Sequence, residues 1–345
     1  MITVLGAGSW GTALAAVLAN NGHNVCIWGR NKLILDELIN QNTNNVYLSN
    51  IKILFDDLKN IQVTDSLDES INNSTKYILI ALPSNIFTKI IQDLKNIFFK
   101  KNLKNIIIIG SSKGLDLGPE NIEHNQEPKW LNQIAADILG NNYPYCLLSG
   151  PSFANEVALK QPTAVVMACT NIDIAKKSAE IFHNNWFRVY CNEDIIGVQL
   201  GGALKNIMAF AVGCSQGVGF GSNARAALIT RGLNEMLNLG SKLNAKFTTI
   251  IGLSGLGDLV LSATDQQSRN QRLGFYLGQG MDKTQALQKI GQHVESLKTT
   301  KLIYNLAKSY ALDLPITEQV YNILYNNMSV NDAVANLVSR PPKNE

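Results

Sequence analysis

A glycine-rich turn near the start of the chain separates an apolar segment from an alanine-rich one. Residues 2–5 are typical of a short buried strand, and residues 12–20 have the composition of a helix. Between them Gly6, Gly8 and Gly11 have the spacing G-x-G-x-x-G. In such a strand-turn-helix the first glycine permits a tight turn, the second lets a pyrophosphate approach the backbone, and the third allows close helix packing. This context predicts a dinucleotide-binding turn, and a purely structural glycine turn is the alternative.

Length and composition restrict the class of protein further. A chain of 345 residues is long enough for two domains, and 46% hydrophobic with 17% charged residues is typical of a soluble globular protein. The net charge of +3 is too small to indicate a nucleic-acid partner. Apolar runs shorter than about eighteen residues argue against a membrane span, and the early first strand leaves no room for a signal peptide. Five scattered cysteines without a C-x-x-C pair predict reduced thiols, no metal site and a cytoplasmic location.

The end of the second apolar run bears on which dinucleotide is bound. Residues 24–28 are typical of a strand, and Gly29 and Arg30 follow about twenty positions after the glycine loop. An acidic side chain at this place binds the 2′-hydroxyl of NAD, whereas arginine suits the 2′-phosphate of NADP. Arg30 therefore favours NADP, with Lys32 as support. A solvent-exposed arginine that contacts no ligand is the alternative.

Apolar runs alternate with helical segments through the first half of the chain. Further runs typical of buried strands lie at residues 76–82, 105–110, 145–149, 163–169 and 187–191. Such alternation predicts a doubly wound, mostly parallel sheet with helical crossovers. Helical periods replace the strands from residue 194 onward. We therefore predict an α/β fold with a Rossmann-type dinucleotide-binding domain over residues 1–192, followed by an all-helical substrate and catalytic domain over residues 193–345.

Candidate ligand-binding residues follow two of these predicted strands. Ligands of parallel sheets bind beyond the carboxyl ends of the strands. Lys113 comes after one such strand and is a candidate for contact with an anion, although an ordinary exposed lysine fits the position equally well. Gly150 and Pro151 come after another strand and lead to a predicted helix start. Backbone N–H groups at that start could reach a substrate or a nicotinamide.

A single lysine interrupts the long apolar stretch at residues 195–216. Burying the charge of Lys205 without a partner would be costly, and desolvation would make its ammonium group release a proton more readily, as proton transfer requires. The alternative is a lysine whose aliphatic stem reaches the surface. Asp258, inside a glycine-rich apolar segment, is a candidate partner, although Asp after glycine is also typical of a helix cap. Arg269 and Asn270 offer planar donors that suit a phosphate.

Seven blocks of the sequence, in order, resemble the bacterial NAD(P)-dependent glycerol-3-phosphate dehydrogenase family. The blocks are residues 6–14, 112–115, 149–154, 197–206, 219–225, 255–259 and 267–270. The resemblance runs almost from end to end of the chain. It implies reversible reduction of dihydroxyacetone phosphate to sn-glycerol 3-phosphate with NADPH or NADH, as a supply of backbones for glycerophospholipid synthesis. It also implies a homodimer.

The resemblance further implies roles for individual residues. Lys205 corresponds to the family's catalytic proton donor and acceptor, and Lys113 corresponds to a lysine shared by cofactor and substrate. Substrate contacts are implied at Gly150, Ser152, Lys205, Asp258, Ser268, Arg269 and Asn270. Besides Gly6, Gly8 and Gly11, cofactor contacts are implied at Ser9, Trp10, Arg30, Ala154, Arg269, His293 and Glu295. No metal is implied.

Three positions depart from the family pattern. Trp10 stands where Tyr or Phe is expected, Ser152 stands where Thr is common, and His293 replaces a small apolar residue that contacts the cofactor. Two other functions share part of the pattern. A reductase of β-hydroxy acids or ketopantoate has the same plan and a catalytic lysine, but its substrate is a carboxylate without phosphate. A non-catalytic NADP-binding redox sensor would have no use for a charged lysine in an apolar helix.

Overall fold

The computed structural model of the protein describes residues 1–49, 51–52, 54–56, 58–118 and 128–341. The described residues up to Ile195, Pro128 excepted, form one compact unit, and those from Ile196 onward form a second. The first unit is an α/β structure, and the second consists of helices. The predicted fold class, a mostly parallel sheet followed by helices, is confirmed.

The first unit is built on a sheet of eight short strands. Including two strands outside this sheet, the described strands of the unit in chain order are β1 (Ile2–Leu5), β2 (Val25–Trp28), β3 (Ile61–Thr64), β4 (Tyr77–Ile80), β5 (Ile107–Gly110), β6 (Leu115–Asp116), β7 (Lys129–Trp130), β8 (Tyr145–Ser149), β9 (Thr163–Ala168) and β10 (Phe187–Asn192). The order in the sheet is β10-β9-β8-β5-β4-β1-β2-β3, while β6 and β7 form a separate antiparallel ladder. All neighbours in the large sheet are parallel except β8 and β9.

Helices cover both faces of this sheet. They are α1 (Ser9–Asn20), α2 (Lys32–Asn40), α3 (Phe87–Lys100), α4 (Leu131–Leu139), α5 (Ala154–Ala158) and α6 (Ile172–Glu180). Cys146 and Leu148 of β8 belong to the core formed with α1, α5 and α6. Tyr145 points to the opposite face, because side chains alternate along a strand, and meets Phe87 of α3 edge-on with ring centroids 5.9 Å apart. Burial on both faces explains why the strand sequences are continuously apolar.

The strand order places the glycine loop at a reversal of the sheet. From β1 the chain continues outward to β2 and β3, then returns to β4 on the other side of β1. In a doubly wound sheet the carboxyl ends of the strands flanking such a switch point form the ligand site. The loop after β1 and the segments after β5 and β8 all lie at this edge, because these three strands are parallel.

The second unit contains nine described α-helices, α7 to α15. They are α7 (Ile195–Val218), α8 (Ser222–Lys242), α9 (Phe247–Ile250), α10 (Asp258–Thr264), α11 (Arg269–Gly278), α12 (Lys283–Ile290), α13 (Ser296–Ser309), α14 (Pro315–Tyr325) and α15 (Val330–Val338). A π-helical turn, Leu253–Gly257, connects α9 to α10. Residues 269–278, which the sequence did not indicate as a helix, form α11.

The backbones of helices α7 and α11 are in close contact where the two helices cross. A methyl group on Gly213 would overlap the carbonyl oxygen of Gln271, and one on Gly274 would overlap the carbonyl oxygen of Phe210. Each helix therefore uses a glycine to let the other helix's backbone approach. This contact holds the start of α11 against the middle of α7.

Two helical stretches are long and apolar enough to cross a membrane by composition alone. In Ile195–Val218 the most apolar window is 83% buried, and in Phe247–Thr264 it is 44% buried. Burial of the first is typical of the core helix of a soluble protein. The five cysteines are free thiols, four of them buried.

Candidate active site

The glycine loop forms a tight turn that connects β1 to α1. Gly6 has a φ of +120°, and a Cβ at this position would lie 2.6 Å from the carbonyl oxygen of Ala81. Its N–H donates to the carbonyl oxygen of Trp28 at 2.9 Å, which ties the turn to β2. A methyl group on Gly11 would overlap the carbonyl oxygen of Gly6. Glycine is therefore required at both positions, one for the turn and one for close packing of α1.

The start of α1 offers an open anion-binding position. Gly8 is the N-cap of α1 and makes no side-chain cap hydrogen bond, whereas Asn171 caps α6 and Ser268 caps α11 through side-chain oxygens. Among the described residues, no heavy atom lies within 4 Å of the place where a Cβ of Gly8 would stand. The first N–H groups and the positive end of the helix dipole are thus left for a ligand, and a dinucleotide pyrophosphate fits this cradle.

Other predicted cofactor residues surround this loop. Helix α1 begins at Ser9, so Ser9 and Trp10 lie in its first turn, earlier than the helix start expected from the sequence. The indole N–H of Trp10 is buried and has no hydrogen-bond partner among the described residues. Arg30 is exposed just after β2. The ammonium of Lys32 lies 3.5 Å from the carboxylate of Asp65, so its charge is partly engaged by the protein.

A second group of predicted residues meets beyond β5 and β8. The Lys113 ammonium donates to the carbonyl oxygen of Gly150 at 3.0 Å, and the Ser152 hydroxyl donates to the same oxygen at 3.0 Å. Gly150 has a φ of +139°, which the turn after β8 requires, and Ala154 begins α5. The structure therefore brings Lys113, Gly150 and Ser152 together at the edge where a parallel sheet binds its ligands.

In the second unit Lys205 and Asp258 form a buried ion pair. The Lys205 ammonium lies 2.7 Å from an Asp258 carboxylate oxygen, and the two side chains are 11% and 1% exposed. The same ammonium donates to the hydroxyl of Ser262 at 2.8 Å. The sequence left open whether Lys205 reaches the surface and whether Asp258 is only a cap. The structure shows a paired, largely desolvated ammonium, which is the arrangement that a positioned proton donor needs.

The π-helical turn is what places Asp258 opposite Lys205. A Cβ on Gly201 of α7 would overlap the Ser254 carbonyl oxygen and lie 2.9 Å from the Cα of Gly255. Small residues on both sides therefore allow this turn to approach α7 one helical turn before Lys205. Asp258 is the first residue of α10 after the turn. Helical irregularities of this kind are frequent at functional sites because they redirect a side chain.

Ser262 was not among the residues predicted from the sequence. It lies four residues after Asp258 on α10, so the two side chains share one face of the helix. Its hydroxyl is also 3.4 Å from the Asp258 carboxylate. The spacing D-x-x-x-S beside a buried lysine is the only signal that could have identified it.

Asn270 connects three helices of the second unit. Its side-chain amide nitrogen donates to the side-chain oxygen of Asn206 at 2.8 Å, and its side-chain oxygen accepts from the backbone N–H of Ser296 at 3.0 Å. Asn206 follows Lys205 on α7, and Ser296 begins α13. Arg269 occupies the first position of α11, and Ser268 caps this helix. The predicted phosphate-binding segment is thus held in place by the side chain of Asn270.

The last two predicted cofactor residues lie just before α13. Glu295 is the N-cap of α13, and its carboxylate lies 3.7 Å from the imidazole of His293. The histidine is 35% exposed and the glutamate 15% exposed. His293 is therefore an ionisable neighbour of Glu295 just before α13.

The fold and the two groups of residues define a class of protein. A doubly wound sheet with an anion-binding glycine turn, together with a buried lysine–carboxylate pair in a helical unit, defines a dinucleotide-dependent dehydrogenase. Residues 1–175 match the family described as NAD-dependent glycerol-3-phosphate dehydrogenase N-terminus, and residues 194–335 match the C-terminus of the same family. The chain belongs to the NAD-dependent glycerol-3-phosphate dehydrogenase family, and the resemblance found in the sequence is confirmed.

Individual relatives agree with this assignment. The chain is 43% identical over 345 residues to the glycerol-3-phosphate dehydrogenase [NAD(P)+] of Bartonella tribocorum, covering 100% of this chain and 98% of that relative. A crystal structure of glycerol-3-phosphate dehydrogenase from Coxiella burnetii is 42% identical with a TM-score of 0.88, covering 98% of each chain. A ketopantoate reductase from Ralstonia eutropha has a TM-score of 0.56 at 12% identity, covering 97% of this chain and 100% of that one. This last likeness shows the fold alone.

Proposed function

We propose that the protein catalyses reversible reduction of dihydroxyacetone phosphate to sn-glycerol 3-phosphate with NADPH or NADH. The observation that carries the proposal is the buried Lys205–Asp258 pair in a chain that matches the dehydrogenase family over both of its parts. When bound, the nicotinamide supplies or accepts the hydride at C2 of the substrate.

Lys205 moves the proton in this proposal. As negative charge develops on the substrate carbonyl oxygen, the Lys205 ammonium donates a proton to it, and in the reverse direction the amine accepts one. The carboxylate of Asp258 and the hydroxyl of Ser262 lie 2.7 and 2.8 Å from the Nζ atom, which fixes the position of the ammonium group. The pair is nearly dry, so the charge on the ammonium acts strongly on the developing oxyanion.

The phosphate group of the substrate needs its own binding residues. We assign the phosphate to Arg269 and the capped start of α11, where Ser268 and Asn270 hold the helix in place. Lys113, held by the Gly150 carbonyl beside Ser152, adds positive charge for the anionic substrate and the cofactor. Fixing the phosphate in this way would also fix the reacting carbon, which is the main advantage of a phosphorylated substrate.

The cofactor is assigned mainly to the predicted dinucleotide-binding domain, residues 1–192. The cradle formed by Gly6, Gly8 and Gly11 with the first turn of α1 would hold the pyrophosphate. The guanidinium of Arg30 would contact the 2′-phosphate of NADP. Ser9, Trp10 and Ala154 complete the cofactor contacts that we assign to this domain. In the predicted second domain, residues 193–345, we assign cofactor contacts to His293 and Glu295.

The test is an assay of NADPH oxidation, followed by the loss of reduced-nicotinamide absorbance, with three substrates side by side. We expect turnover with dihydroxyacetone phosphate and little with unphosphorylated dihydroxyacetone or ketopantoate, because only the first offers a phosphate to Arg269. Turnover with ketopantoate alone would replace the proposed substrate by a carboxylate. Binding of NADPH without turnover on any of the three would favour a sensor.

We also propose that the enzyme is a cytoplasmic homodimer that supplies glycerophospholipid synthesis. A groove of about 650 Å³ runs between α8, α14 and α15, and apolar side chains at its border are exposed, Phe220 by 44% and Val338 by 78%. A second copy of the chain would cover them. Light scattering should give a dimer for the wild type and a monomer for Val338→Glu, while Val46→Glu, at an exposed valine of the first unit, should stay dimeric.

A further inference from the structure

A buried asparagine outside the sequence motif touches the middle of the glycine loop. Asn44 lies in the segment after α2 and is 0% exposed. Its side-chain nitrogen donates to the carbonyl oxygen of Ala7 at 3.1 Å and to the Thr12 hydroxyl at 2.9 Å. Its side-chain oxygen accepts from the N–H of Tyr47 at 3.3 Å. The amide thus connects the loop, α1 and its own segment, and both its nitrogen and its oxygen form hydrogen bonds.

The bond to Ala7 determines the direction of one peptide group. The Ala7 carbonyl and the Gly8 N–H belong to the same planar trans peptide, so they point in opposite directions. Because Asn44 holds the carbonyl on its own side, the Gly8 N–H points away from Asn44. No described heavy atom lies within 4 Å of a Cβ built on Gly8, so the space beside this residue at the start of α1 is open.

The side chain of Ala7 is confined as well. A Cβ on Gly29, just after β2, would lie 2.9 Å from the Ala7 Cβ, so the two residues are in close contact. Gly29 thus limits movement of the Ala7 methyl group while Asn44 fixes its carbonyl. The Ala7–Gly8 peptide would otherwise be free to rotate, because glycine on each side of Ala7 permits a wide range of backbone angles.

We propose that Asn44 is a positioning residue for the cofactor, which holds the Ala7–Gly8 peptide with its N–H toward the bound pyrophosphate. The proposal rests on the assignment of the glycine loop to a dinucleotide in the proposed function. Without Asn44 the peptide can turn over, and a turned peptide presents a carbonyl oxygen to the pyrophosphate instead of a donor. Cofactor affinity is therefore the property that Asn44 controls, and the chemistry of Lys205 is independent of it.

The test is to measure NADPH binding calorimetrically, without substrate, in the Asn44→Leu variant. Leucine has a similar size but neither donates nor carries charge. We expect the dissociation constant to rise about tenfold or more, as the loss of a buried hydrogen bond that orients a ligand group implies. At saturating NADPH, kcat should stay within about twofold of the wild type, because the reacting groups are untouched.

Two controls separate positioning from general destabilisation. Asn42 makes a matching pair of bonds in the same segment, from its side-chain nitrogen to the Phe55 carbonyl at 2.9 Å and from the Phe55 N–H to its oxygen at 3.0 Å. Its φ is +54°, so Asn42→Gly removes these bonds without backbone strain. That variant should lower the melting temperature but leave the dissociation constant unchanged. Thr12→Val removes the other acceptor of Asn44. It should change the NADPH dissociation constant by less than about twofold, because the hydrogen bond from Asn44 to the Thr12 hydroxyl does not orient the Ala7–Gly8 peptide.

An unchanged dissociation constant in Asn44→Leu, or an equal rise in Asn42→Gly, would overturn the proposal. If Asn44→Leu does not fold, Asn44→Ser keeps a hydroxyl for the Tyr47 N–H but is too short to reach Ala7, and the same rise is expected. A wild type that binds NADPH but reduces no dihydroxyacetone phosphate would reject the proposed reaction while leaving the binding comparison intact.

Discussion

Lys205 and Asp258 each require the other. A single buried charge of either sign would be strongly destabilising. The pair is tolerated because the two groups lie 2.7 Å apart and because the Ser262 hydroxyl accepts from the ammonium and donates to the carboxylate. A buried ion pair of this kind adds little net stability compared with apolar residues. Its position in an otherwise apolar helix is better explained by chemistry than by folding.

Lys205→Met should lower kcat by about a hundredfold or more, because the variant has no proton donor near the carbonyl oxygen. Methionine keeps the aliphatic length of the side chain, so packing in α7 is preserved. Steady-state kinetics with dihydroxyacetone phosphate, together with the NADPH dissociation constant, checks this. The dissociation constant should not change, since the glycine loop is untouched.

Two further variants serve as controls for the kinetics of Lys205→Met. Lys242→Met changes an exposed lysine at the end of α8 and should keep full activity. Lys205→Met leaves the Asp258 carboxylate buried without its lysine partner, which should cost about 3 to 5 kcal/mol of stability, and adding Asp258→Asn should recover most of it. Near-normal turnover in the folded double variant would remove Lys205 from the proposed role.

Arg30 should determine the preference between the two cofactors. Arg30→Asp replaces a partner of the 2′-phosphate by a carboxylate that suits the 2′-hydroxyl, so the ratio of kcat/KM for NADPH to that for NADH should fall by about tenfold or more. Lys95→Asp, at an exposed position of α3, makes the same charge change elsewhere and should leave the ratio as it is. An unchanged ratio in Arg30→Asp would show that this side chain does not contact the adenosine ribose.

At the scale of elements, apolar periodicity identified seven of the eight strands of the large sheet and the longest helices, but it did not identify α2, β3 or α4. It also missed α11, because residues 269–272 are polar and two glycines follow, and because the packing of Gly274 on the backbone of α7 is a tertiary contact. It placed the start of α1 too late, since glycine and serine are weak helix formers and the packing of Gly11 on Gly6 overrides their propensity. Neither contact can be seen in a linear pattern.

Strand direction and neutral polar residues were also beyond the sequence pattern. The connection from β8 to β9 is near the minimum length for a parallel crossover, so it does not reveal that this pair is antiparallel. Lys205 and Asp258 were identified because charges stand out in apolar segments. Ser262 and Asn44 carry no charge, and asparagine is common in this chain, so only their contacts in the fold show their importance.

The crossing of α7 and α11 gives a prediction for the element scale. Gly213→Ala should destabilise the protein by about 2 kcal/mol or more, because the new methyl group overlaps the Gln271 carbonyl and forces the helices apart. Denaturant unfolding measures this. Gly221→Ala, where the described residues leave an added methyl with no neighbour within 4 Å, should cost much less. Equal losses in the two variants would mean that the crossing can relax without cost.

At the scale of the whole molecule, one buried carboxylate connects early and late parts of the helical unit. Glu235 of α8 is 3% exposed and accepts hydrogen bonds from the Ile316 N–H at 2.5 Å, the Thr317 N–H at 3.1 Å and the Thr317 hydroxyl at 2.7 Å. It therefore caps α14 from a distance in sequence. Burial raises the pKa of Glu235 from 4.5 to about 7, against the opposing effect of these donors.

This raised pKa makes stability depend on pH in a defined direction. Between pH 4.5 and pH 7 the folded protein holds a proton on Glu235 that the unfolded chain has released, so this group's contribution to the free energy of unfolding falls as pH rises through that window and is constant above it. The fall should reach about 3 kcal/mol, to order of magnitude. Glu235→Gln cannot titrate, so denaturant unfolding of both proteins across this range should show the wild type losing stability relative to the variant. Parallel pH profiles would mean that the three donors keep Glu235 ionised in the folded protein, and the α8–α14 connection would then be insensitive to pH.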